Sequence, residues 1–117
     1  MKKQSFDFIL QLRLKKNRIF FGTGIAELLQ GVEKNLSLSA AAKNMSMAYS
    51  KAWRIVKCAE KELGFPLTTR QSGGIGGGGS VLTQEGKKFL HQYLAFKQDC
   101  FEYTKHTFEK YFNDEKI

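Results

Sequence analysis

Several things are scarce in this sequence of 117 residues. Cysteine is one: Cys58 and Cys100 stand far apart with no third or fourth partner. That leaves neither a disulfide framework nor a CxxC metal site, and suggests a reducing compartment. Long apolar runs are also missing, and none approaches the ~18 residues that a membrane span needs. The start, Met1-Lys2-Lys3-Gln4-Ser5-Phe6-Asp7, is basic, but Asp7, Gln11 and Arg13 interrupt the stretch after it. No small-residue cleavage site follows, so no signal peptide is expected and the location expected is cytoplasmic. Histidine is rare: His91 and His106 stand fifteen apart, with no cysteine or carboxylate at ligand spacing. No serine sits in a nucleophile-elbow context. Neither a catalytic centre nor a metal or cofactor site is expected.

Acidic residues are few as well. Asp plus Glu total 11 against 19 Lys plus Arg, a formal charge of +8. A surplus of this kind favours polyanions, because each neutralised phosphate releases counterions. It is unevenly spread. Residues 1–22 carry a net +5 and residues 39–70 a net +4, whereas residues 91–117 carry −1. Hydrophobic residues make up 42% and Phe alone numbers 10, which is ample for a core.

One domain is expected over residues 1–117, in three parts. In the first, residues 1–21, Phe6, Phe8, Leu10, Leu12 and Leu14 alternate with Asp7, Gln11 and Arg13. Period two with aromatics predicts a strand over 5–14, and Arg18-Ile19-Phe20-Phe21 makes a hairpin with it. The second part spans 22–83. Thr23 is a candidate cap for a helix carrying Ile25, Leu28, Leu29 and Val32. Ser39 is a candidate cap for a short helix over 40–44, Met45-Ser46-Met47 makes a turn, and a longer helix runs from about Ala48 to Leu63. Gly64 stops it and Pro66 confirms the break. Two helices joined by so short a turn form a helix-turn-helix. Leu67–Arg70 and Ser80–Thr83 flank a glycine-rich loop and read as a hairpin. The third part, 84–117, opens on Thr83 as cap and predicts a helix of about 29 residues, roughly 43 Å long. The fold class is α+β.

Chemistry concentrates on the helix over 48–63. Ala52, Val56, Ala59 and Leu63 form an apolar stripe, with Trp53 beside it and expected in the core. Ser50, Arg54, Lys57 and Lys61 recur at the same four-three-four spacing on the opposite side, with Lys51 adjacent. A helix that buries one face and offers cations and hydroxyls on the other suits the major groove of DNA. Ser50, Lys51 and Arg54 are the candidates for base edges; Lys43, Lys57 and Arg70 for phosphates; Ser39 joins this DNA-facing set. Tyr49, in the first turn, fits either a base contact or packing on the preceding helix. The glycine loop lacks the Lys-Ser/Thr of a phosphate-binding P-loop. It suits a wing along the DNA backbone, with Ser72, Gly73, Gly76 and Ser80 as contacts. The last helix places Phe89, Tyr93, Phe96, Phe101 and Phe108 on apolar rows that exceed one small core, so a second copy is expected to cover them.

Three stretches together carry a resemblance: Leu38-Ser39-Ala40-Ala41-Ala42-Lys43, then Tyr49-Ser50-Lys51-Ala52-Trp53, then the glycine run with Ser80-Val81-Leu82-Thr83 and Gly86. They resemble the N-terminal DNA-binding domain of the molybdate-responsive (ModE-type) regulators. Glu62–Leu67 and Leu82–Gly86 are similar, more loosely, to LysR-type winged helices. The likeness covers about residues 22–113. It implies a winged helix-turn-helix that dimerises through its last helix and binds double-stranded DNA. Ala48 stands where that family has a capping serine, and Ser46 where its turn has glycine. The C-terminal oxyanion-binding domains of full-length members have no counterpart before Ile117, so molybdate sensing is not expected to carry over, and any effector is unknown. Two other roles compete: a winged-helix protein-interaction module, and an oxyanion-responsive regulator whose dimer interface is the sensor.

Overall fold

Ile25, Ala26, Leu28, Leu29 and Val32 share one face of helix α1 (Thr23–Asn35) and are all buried. The computed structural model describes residues 6–71 and 79–112. Thr23 is the first helical residue of α1 and not its cap; Gly22 holds the cap position, extended and without a side-chain bond. The helix leaves through Leu36, which is left-handed at φ 55°. A leucine there costs about 1–2 kcal/mol relative to the right-handed form. The bend turns the Leu36 carbonyl outward, where it accepts from the Ser80 N–H at 3.0 Å.

The next two helices form the helix-turn-helix. The cap of α2 (Leu38–Asn44) is Ser37, which accepts from the Ala40 N–H at 3.0 Å, so the expected cap Ser39 lies inside the helix. The shift has a simple cause. Starting at Leu38 buries Leu38, Ala41 and Ala42 together, at i, i+3 and i+4. The turn runs through Ser46 at φ 54°, a left-handed residue, with the Met47 N–H returning to the Ala42 carbonyl at 2.9 Å. Helix α3 (Tyr49–Leu63) follows, starting one residue later than expected. Ala52, Val56 and Ala59 are essentially fully buried, and Gly64 ends the helix at φ 84°. Small residues let α1 and α2 approach: a Cβ on Gly31 would lie 2.7 Å from that of Ala41.

Strands β3 (Thr68–Gln71) and β4 (Gly79–Leu82) pair antiparallel, with Thr68 opposite Leu82 and Gln71 opposite Gly79. Thr83 joins this hairpin to α4 (Gln84–Phe112). Its hydroxyl donates to the Pro66 carbonyl at 2.6 Å and accepts from the Gly86 N–H at 2.8 Å. At 29 residues, α4 has the expected length. Architecture and element order are those of a winged helix-turn-helix with a long last helix.

The first segment departs from expectation. Only β1 (Leu14–Lys15) pairs with β2 (Ile19–Phe21), and residues 6–13 have no ladder partner. Their alternation survives as burial: Phe8, Leu10, Leu12 and Leu14 are half-buried while Ile9, Gln11 and Arg13 are exposed. The surface that covers them is α4, not another strand. Phe8 lies 5.5 Å from Phe101 and 5.0 Å from Phe108 between ring centres. The Tyr93 hydroxyl donates to the Leu12 carbonyl at 2.7 Å. Lys16 donates to the Glu62 carbonyl at 3.2 Å, placing one of the N-terminal cations on the last turn of α3. No described helix is long and apolar enough to cross a membrane.

Candidate nucleic-acid interface

The burial of α3 settles which way its cations face. With Ala52, Val56 and Ala59 against the core, Ser50, Lys51, Arg54, Lys57 and Lys61 are all exposed. Among the described residues, Lys51, Arg54 and Lys61 make no salt bridge. Their guanidinium and ammonium donors are therefore free for an incoming acceptor. Lys57 differs. It pairs with the Glu60 carboxylate at 3.3 Å and lies 5.5 Å from the centre of the Trp53 ring.

Trp53 is not the core residue expected from its place beside the apolar stripe: it is 48% exposed. The stripe is built from alanines and valine, which bring α3 close to its neighbours and leave no room for an indole. Tyr49 is 46% exposed and stands one turn earlier on the same flank.

The wing comes to this flank from the other side. Glu60 also accepts from the Leu67 N–H at 2.7 Å and the Thr68 N–H at 3.3 Å, which ties the root of β3 to α3. Sequence reasoning missed this role, because its only signal is an acid in the last turn before a helix stop. Further out, a cleft of about 300 Å³ opens between α2, α3 and the wing. Ser39, Tyr49, Arg70 and Ser80, expected from three separate stretches, all line it, joined by Ser37 and Gly79. Hydroxyls and a guanidinium around an open cleft suit an anion. Lys43 is exposed at the end of α2, outside the cleft. Ser72, Gly73 and Gly76 lie outside the described residues.

The five residues expected to meet a second copy divide. Tyr93 is 2% exposed and Phe89 half-buried; both pack on Phe21, at 5.0 and 4.9 Å between ring centres. These two belong to the protomer's own core, a correction to their expected place at an interface. Phe96 and Phe101 are exposed, at 47% and 39%. Phe108 is half-buried under Phe6 and Phe8, beside an apolar groove of about 390 Å³ that Tyr111 and Phe112 also line. Among the described residues, no three His, Cys, Asp or Glu side chains gather as metal ligands.

The chain is similar to several known bacterial proteins. The chain is 33% identical over 84 residues to the molybdenum-pterin-binding protein MopB of Rhodobacter capsulatus, covering 72% of this chain and 31% of that one. It is 31% identical over 80 residues to the molybdenum transport protein ModE of Azotobacter vinelandii, covering 65% and 30%. It is 30% identical over 92 residues to the DNA-binding transcriptional dual regulator ModE of Escherichia coli K12, covering 79% and 35%. The matches thus span about a third of the length of these relatives. The model of the bacterial regulatory helix-turn-helix proteins of the LysR family matches residues 26–87, from α1 through the capped start of α4. With that match over more than half of its length, and with the helices, turn and wing described above, the chain belongs to the LysR family of bacterial regulatory helix-turn-helix proteins.

Proposed function

We propose that this protein is a transcription regulator that binds double-stranded DNA sequence-specifically, as a homodimer, in the cytoplasm. One observation carries the proposal: α3 buries Ala52, Val56 and Ala59 while its opposite face holds Lys51, Arg54 and Lys61 exposed and free of salt bridges among the described residues. A helix is narrow enough to enter the major groove. Ser50, Lys51 and Arg54 then meet base edges, and Arg54 suits the O6/N7 pair of guanine. Lys57 and Lys43 meet phosphates. The cleft at Ser39, Tyr49, Arg70 and Ser80 receives a backbone phosphate at the groove wall, and the wing follows the strand beyond it. Phe96, Phe101 and Phe108 on α4 lie against the second copy. The protein acts by occupying DNA and needs no catalytic group.

The test is selection of bound duplexes from a random pool at moderate salt. The expected result is a pseudo-palindrome whose half-sites lie about 10 base pairs, or a multiple, apart. A pool that shows no enrichment, with binding no tighter to duplex than to single strands, overturns the proposal.

A further inference from the structure

Tyr49 and Trp53 put two half-exposed aromatic side chains on a cationic helix. Trp53 is the one tryptophan of the chain and is 48% exposed. Tyr49, Trp53, Lys57 and Glu60 follow one another at four, four and three residues, so they share one flank of α3. Both ends of that flank point to the wing. Tyr49 lines the cleft with Arg70, and Glu60 holds the Leu67 and Thr68 N–H groups. Trp53 therefore lies on the flank of α3 whose two ends meet the wing. The Lys57 ammonium sits 5.5 Å from the ring centre, within cation–π range. The Glu60 carboxylate holds that ammonium from the other side at 3.3 Å.

We propose that Trp53 is a DNA-contacting residue: its indole packs on deoxyribose of the strand that passes between α3 and the wing, and holds Lys57 at the neighbouring phosphate. The inference rests on the DNA-binding proposal above and adds to it an apolar anchor among the cations. Deoxyribose is the apolar surface that a strand presents at a groove wall, between the phosphates that Lys57 and the cleft receive. An indole there gains area without reading sequence, so its contribution is the same for every site bound.

Trp53 supplies its own probe. Its fluorescence, excited on the red edge beyond tyrosine absorption, is titrated with acrylamide in the presence and absence of selected duplex, with binding followed separately by anisotropy of labelled DNA. Acrylamide is neutral, so the field of the DNA does not mimic shielding. The expected result is a fall in quenching of at least about twofold as the duplex saturates. Trp53→Ala is expected to weaken binding about tenfold, equally for strong and weak sites, and Trp53→Phe to restore most of it. Trp53→Phe keeps an aromatic ring at this half-exposed position and is expected to melt close to wild type, so the comparison of Trp53→Ala with Trp53→Phe separates DNA contact from stability. DNA that binds while Trp53 stays equally quenchable overturns this inference and leaves the regulator proposal standing. Shielding that is present without DNA and grows with protein concentration assigns the indole to a second copy and overturns it too. If no duplex binds at all, both proposals fall.

Discussion

Gly86 is the position where one added methyl group tests the packing of the wing against the last helix. A Cβ there would overlap the Leu67 carbonyl oxygen and come within 2.9 Å of both the Leu67 carbonyl carbon and Cα. These are backbone atoms, so no side-chain rotation relieves the contact. Leu67 is fully buried, and its carbonyl accepts from the Thr83 N–H at 3.0 Å, the bond that sets α4 on the hairpin. Overpacking of this kind costs about 1–3 kcal/mol. Loss of the Thr83 bond adds about 1 kcal/mol, and the better helix propensity of alanine returns at most about 1 kcal/mol. Gly86→Ala is therefore expected to destabilise by about 1–3 kcal/mol, a drop of roughly 4–12 °C in melting temperature. The control is Gly24→Ala in the first turn of α1, where a Cβ meets nothing within 4 Å and the same helix-propensity gain stands alone. Thermal unfolding followed by circular dichroism reads both. If Gly86→Ala melts at or above Gly24→Ala, the close approach of α4 to the wing root is not as described.

Other residues give independent tests. Arg54→Ala is expected to relax preference at one base position by about 1–3 kcal/mol, read by competition between selected and substituted duplexes. Lys57→Ala is expected to weaken all duplexes alike and to reduce the slope of log affinity against log salt by about 1. Tyr93→Phe removes the donor to the Leu12 carbonyl and is expected to cost about 0.5–1.5 kcal/mol, with faster amide exchange over residues 6–13. Phe96→Glu places a charge on the exposed side of α4, at a side chain 47% exposed, and is expected to raise the dissociation constant of the proposed dimer more than about tenfold in sedimentation experiments, with the melting temperature of the protomer little changed.

Legibility of the fold followed the physics of each signal. The stripe Ala52, Val56, Ala59 was readable because helical periodicity reports burial directly, and the burial came out as expected. Gly64 and Thr83 were readable because a helix stop and a cap have few chemical solutions. Ser37 and Ser39 were not separable that way. Both are good caps, and the burial of Leu38 chose between them. The alternation over residues 6–14 predicts a strand because period two reports one covered face; it does not say whether a strand or a helix does the covering. Trp53 departs from its expected place in the core for a related reason. Its neighbours in the stripe are small, and sequence alone does not reveal how closely α3 approaches the core. The cleft at Ser39, Tyr49, Arg70 and Ser80 was legible only residue by residue, since what assembles it is the docking of Ser80 on the Leu36 carbonyl.

The bond between Tyr93 and Leu12 spans 81 positions of the chain. During synthesis, residues 6–13 are made well before the helix that covers them. Phe8, Leu10 and Leu12 lack this covering surface until α4 follows, whereas α1, α2 and α3 have their contacts among nearer neighbours. The order of assembly is thus the reverse of the order of translation for this segment. Its docking is expected to fall in the late, low-φ part of folding, so that Tyr93→Phe speeds unfolding and leaves the folding rate almost untouched in stopped-flow measurements.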